Sequence, residues 1–114
     1  MATAAPGMYE LPQEFIDFRD TIRQIVTERV APRAAEIDEA AAYPHDLRQL
    51  FAEQDLFGLP FEPEHGGTGT GCLMLNIAVE EVSKACASTA LMLMVQELGT
   101  LPIRLFGTAE QQQR

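Results

Sequence analysis

Positive charge is scarce in this sequence. Lys and Arg together number 8 against 17 Asp and Glu, a formal net charge of −9. Nucleic acids and anionic membrane surfaces repel such a chain, which argues against both as partners. The acids are spread along the sequence and do not form a tail. Cysteine is scarcer still. Cys72 and Cys86 are the only two and form no Cys-x-x-Cys pair, so two free, buried thiols in a reducing compartment are expected. Both fall within or beside one predicted helix, about 21 Å apart along its axis. A disulfide needs Cα atoms within about 7 Å. Long apolar runs are missing as well. The longest nearly apolar stretch, 85–95, has eleven residues, where a bilayer span takes about 20. Residues 1–8 are neither basic nor continuously apolar, so no signal or transit peptide is read there and a cytoplasmic location is expected. No segment alternates with period two, which removes the main signal for strands.

What is present is helical periodicity. A chain of 114 residues makes one domain and can bury roughly 65% of its unfolded surface. Residues 1–10 are small and irregular and are expected to fray. Pro12 suits the first position of a helix. Phe15, Phe18, Ile22 and Ile25 then make a stripe, with Asp20, Arg23 and Glu28 on a solvated face. Pro32 should kink or end this helix, which resumes toward Ala41. Pro44 can open a helix with Leu47, Leu50 and Phe51 buried and Gly58 as its stop. The glycines and prolines of 59–71 make a loop. Residues 72–87 read as a central helix, apolar on two sides. Ser88 can cap the next helix, 89–106, in which Pro102 introduces a bend. Gly107 ends it, and Thr108 with Gln111 has capping-box spacing, so a fifth helix begins there and is left after about one turn. The predicted fold is an all-α antiparallel bundle: a helical domain over 11–107, and 108–114 as the first turn of a truncated helix.

Four constellations invite a chemical reading. Gly66-Gly67-Thr68-Gly69-Thr70-Gly71 resembles a phosphate loop, but its spacing is wrong, no lysine follows, and Glu62 and Glu64 oppose an anion; a flexible turn is the plainer expectation. Glu80-Glu81 could offer a general base, against the alternative that one of them pairs with Lys84 at helical spacing. His45, His65 and the two cysteines match no zinc-ligand spacing, and no metal site is expected. The run Ala90-Leu91-Met92-Leu93-Met94-Val95 is either core or a wall for a flexible apolar ligand, to which methionine adapts well.

Pro63-Glu64-His65-Gly66-Gly67, Val79-Glu80-Glu81-Val82, Ala87-Ser88, and Leu101-Pro102-Ile103 through Leu105-Phe106-Gly107-Thr108 occur in an order and spacing that resemble the N-terminal helical domain of the acyl-CoA dehydrogenase family. The resemblance covers about residues 15–114. It implies a β-domain and a C-terminal helical bundle beyond this chain, FAD held mainly by those parts, an acyl-CoA substrate and a homo-oligomeric complete enzyme. The implied reaction is α,β-dehydrogenation of an acyl-CoA to a 2-enoyl-CoA. Carried over by position, Ala90, Met94 and Leu98 correspond to residues lining the acyl-chain cavity, while no catalytic or flavin-binding residue falls in this chain. A flavin oxidase or monooxygenase of the same superfamily would carry a similar domain. So would a free-standing, non-enzymatic module that pairs with a separate partner.

Overall fold

The computed structural model describes Gly7 and residues 9–114. Among these every regular element is helical, and no strand occurs. The expected frayed start, residues 1–10, lies mostly outside the described residues. The elements are α1 (Gln13–Ile25), α2 (Ala34–Ala40), α3 (His45–Glu53), α4 (Gly71–Ala85), α5 (Ala87–Phe106) and a final turn, α6 (Ala109–Gln112). Helix α4 is central, packed on α1 at one side and α5 at the other. The assembly is a slab of 55 × 40 × 21 Å, about two helix diameters thick.

Pro12 stands just before α1 in extended conformation rather than inside it. Pro32 breaks the helix as its chemistry requires, having no N–H to donate to the carbonyl four residues back. The backbone adapts by a wide π turn over Val26–Val30 and a tight 3-10 turn over Ala31–Arg33. The inward stripe therefore runs from Ile22 to Val26 and Val30, not to Ile25, which is only half-buried. These residues join Ile37, Leu47, Phe51, Met74, Ala78, Val82 and Leu93 in one core.

Two predicted stops shift. Helix α3 ends at Glu53, with Asp55 taking the left-handed conformation at φ 56°, a role aspartate tolerates. Gly58 serves a different purpose: a Cβ there would sit 3.3 Å from the Cα of Gly67. The break between α4 and α5 is a single extended residue, Cys86, so α5 begins at Ala87. Ser88 already lies in its first turn and caps nothing. Thr89, fully buried, donates its hydroxyl to the Cys86 sulfur at 3.1 Å. Thr108 and Gln111 form the expected capping box. Both cysteines are free, but only Cys86 is buried; Cys72 is exposed on the first turn of α4. No helix among the described residues is long and apolar enough to cross a membrane.

Candidate functional site

The glycine-rich loop is not a loose turn. The N–H of Gly67 donates to Glu62 O at 3.1 Å, that of Thr68 to Gly58 O at 3.0 Å and that of Gly69 to Phe61 O at 2.8 Å. Those of Thr70 and Gly71 both donate to Leu59 O at 3.1 Å. A Cβ on Gly67 would lie 2.0 Å from Phe61 O, closer than any contact allows, so only glycine lets these strands of loop meet. With its amides turned inward onto its own carbonyls, the segment has no row of donors to offer an anion.

Arg104 fastens this loop to α5. It donates to Pro60 O at 3.0 Å and to Glu97 at 2.5 Å, and its guanidinium lies 5.6 Å from the Phe61 ring centre. Beside it a cavity of about 620 Å³ opens between the loop and the end of the chain, lined in part by Phe61, His65, Arg104 and Arg114. Its two arginines already have acidic partners, Arg104 in Glu97 and Arg114 in Glu110, and His65 Nε2 lies 3.5 Å from Glu64.

Glu81 is the one buried acid among the described residues, 2% exposed within the apolar face of α4. Arg23 of α1 grips it with two hydrogen bonds of 3.1 Å, and Lys84 donates at 2.6 Å. The Arg23 hydrogen bonds, opposed by burial and aided by Lys84, hold its carboxyl below the usual range. A carboxylate stabilised in this way is a poor proton acceptor. The pairing with Lys84 agrees with the spacing; Arg23, exposed as expected, also reaches across from α1 to Glu81. A sequence signal for it existed. An acid flanked by Ala78 and Val82 on a buried stripe requires a cation from a neighbouring helix.

The three positions expected to line a cavity lie within about 80° of one another around α5 but differ in burial. Ala90 is 1% exposed and belongs to the core, whereas Met94 is 48% and Leu98 71% exposed. A four-residue step advances about 40° around a helix, so the series drifts from the inner side of α5 to its outer side. What Met94 and Leu98 do share is an outward arc of about 120° with Leu91, Val95, Pro102, Leu105 and Phe106. Its one polar side chain is Ser88, at the edge of the arc in the first turn of α5. The two charged residues of α5, Glu97 and Arg104, pair with each other on the loop side. Leu91 and Val95 belong to the run read from sequence as core or ligand wall, though not to the three positions carried over from the family; each stands three residues before Met94 or Leu98.

The family model for the acyl-CoA dehydrogenase N-terminal domain matches residues 12–114. The cyclohex-1-ene-1-carbonyl-CoA dehydrogenase of Geobacter metallireducens is 41% identical over 83% of this chain and 25% of its own length. The cyclohexane-1-carbonyl-CoA dehydrogenase of Syntrophus aciditrophicus is 39% identical over 80% of this chain and 24% of its own. The probable acyl-CoA dehydrogenase YngJ of Bacillus subtilis is 36% identical over 92% and 28%. A chain from a solved structure concerning the electron transferring flavoprotein of Acidaminococcus fermentans superposes with a TM-score of 0.83 at 30% identity. That match covers 92% of this chain and 28% of the other. The chain thus spans about a quarter of the length of the curated relatives it matches. The helices, their order and the Pro-Glu-His-Gly-Gly loop all fall inside the matched region, and the chain belongs to the acyl-CoA dehydrogenase family, as its N-terminal domain.

Proposed function

We propose that this chain serves as the N-terminal domain of an FAD-dependent acyl-CoA dehydrogenase and that Met94 and Leu98 form part of the wall of its acyl-chain cavity. The observation that carries the reading is the outer arc of α5: apolar from Leu91 to Phe106, and left uncovered by the chain's own helices. An acyl chain in contact with it exchanges water for Leu, Met and Val side chains, worth about 0.8 kcal/mol per buried methylene. Leu91 and Val95 extend the wall along the helix. Ala90 contributes from beneath, through the close packing of α5 on the core.

The reaction proposed for the complete protein is α,β-dehydrogenation of an acyl-CoA to a 2-enoyl-CoA, in a homo-oligomer whose β-domain and C-terminal domain supply the other walls. FAD would carry the redox chemistry there. Residues of this chain do not fit it as holders: the amides of the glycine loop are spent on internal carbonyls, and Glu81 is locked in ion pairs. No chemical step is assigned to them.

A second reading concerns the acyl group. Several relatives are named for cyclohexene- or cyclohexane-carbonyl-CoA, which favours an alicyclic acyl group. An apolar arc suits a hydrocarbon ring as well as a chain. The test is Met94→Trp in the complete enzyme. Added bulk at the wall should cut kcat/KM for long acyl-CoAs by about tenfold or more, with short or ring substrates changed far less. Matching chain-length profiles for variant and parent would return Met94 to a packing role.

A further inference from the structure

We propose that residues 99–102 form a hinge within α5 and that the Glu97–Arg104 ion pair is the latch that fixes its angle. Helix α5 runs unbroken from Ala87 to Phe106 although Pro102 lies inside it. Pro102 has no N–H to donate to the Leu98 carbonyl, and its ring crowds that carbonyl. Thr100 loosens the same turn. Its hydroxyl donates back to Gln96 O at 2.9 Å and to Glu97 O at 3.3 Å, an arrangement that bends helices. Gly99 adds the least restrained backbone of any residue. Packing does not require glycine there, since a Cβ would meet nothing of this chain within 4 Å. Gly99, Thr100 and Pro102 thus set three helix-weakening residues within four positions. They follow the part of α5 that the core holds, whose buried residues are Thr89, Ala90, Met92 and Leu93.

The ion pair bridges this stretch. Glu97 stands before the weak segment and Arg104 after it, about two turns apart and nearly in line along the helix. Arg104 Nη2 donates to Glu97 Oε1 at 2.5 Å, and the two side chains are only 24% and 15% exposed, so salt screens the pair little. Its place around the helix gives it leverage. At about 100° per residue, Glu97 and Arg104 lie about 140–160° round from Pro102. A bend that relieves the crowding at Pro102 opens the proline side and closes the opposite one, where the pair sits. The contact between them therefore sets how far the helix bends. The turn beyond the hinge has fixtures of its own. Arg104 Nη1 donates to Pro60 O at 3.0 Å, and Gln112 Nε2 donates to Ile103 O at 3.3 Å and Arg104 O at 3.1 Å. The glycine loop is thus tied to the half of α5 that carries Leu105 and Phe106, and the latch governs the angle of that half to the Leu91–Leu98 half. The inference uses only contacts inside this chain and stands apart from the acyl reading.

Amide hydrogen exchange of the 114-residue chain tests it. The amides of Ile103 to Phe106, whose helical acceptors are residues 99–102, are read against those of Met92 to Val95 on the core side. Glu97→Gln keeps the shape of the side chain and removes its charge. It should speed exchange at Ile103–Phe106 by at least about threefold and leave Met92–Val95 unchanged. Pro102→Ala restores the missing donor and removes the crowding. In the Glu97→Gln chain it should return exchange at Ile103–Phe106 to the parent rate or below it. A pair that served only to anchor the loop would show no such rescue, because the ladder of α5 would not depend on it. Exchange unchanged by Glu97→Gln, or a Glu97→Gln effect that persists undiminished beside Pro102→Ala, would overturn the proposal. So would an effect spread equally over Met92–Val95, which would mark a loss of stability throughout the fold and no hinge.

Discussion

Glu81 shows how one side chain settles the relation between two helices. It occupies a buried position on α4, where an unpaired carboxylate would be severely penalised, and its bidentate partner comes from α1. The pair fixes the rotation and height of α1 against the central helix, because the planar guanidinium fork accepts only a narrow range of approach. Its pH dependence follows from the direction of the shift. The carboxyl is held below its ordinary value of 4.5 in the folded chain. Folding is favoured by this pair above the unfolded pKa, and the advantage disappears as pH falls through the folded one. Replacing Glu81 with Ala should cost about 2 kcal/mol near neutral pH, moderated by the half-exposed position of Arg23. The difference from the parent, read as urea midpoints, should shrink steadily below about pH 4. A gap unchanged down to about pH 3 would show that the loss came from packing alone.

At the scale of elements, the helices were legible because their stripes are long: Leu47 and Phe51 of α3, and Leu75 and Val82 of α4, all fell where the period placed them. Their ends were less so, since several residues compete for one structural role. Gly58 looked like a helix stop, but Asp55 takes the left-handed turn and Gly58 makes room for Gly67. Ser88 looked like a cap because serine often is one. In the fold the break falls two residues earlier, at Cys86, which is extended and buried. Local propensity does not report that placement. The difference is measurable. Ser88→Ala should leave stability within about 0.5 kcal/mol of the parent, whereas a true cap would lose about 1 kcal/mol. A loss of cap size in the urea midpoint would place the start of α5 at Ser88 after all.

For the molecule as a whole, the consequence is an incompletely covered surface. The radius of gyration is 16.0 Å, against about 13 Å for a compact domain of this length, and the outer arc of α5 stays open to water. The family was legible in the sequence because its motifs are local and ordered. The drift from Ala90 to Leu98 was not, because equal spacing of four looks like one face until the helix's position against α4 is known. Openness and the closed glycine loop together make the final prediction. The purified chain should be colourless, without flavin absorbance, and should not oxidise acyl-CoA with an artificial electron acceptor. Its loop amides are internally satisfied, and its buried carboxylate is locked by Arg23 and Lys84. It should instead enhance the fluorescence of a hydrophobic dye. Stoichiometric bound flavin, or turnover by this chain, would mean that the residues before Arg114 do more of the chemistry than their geometry allows.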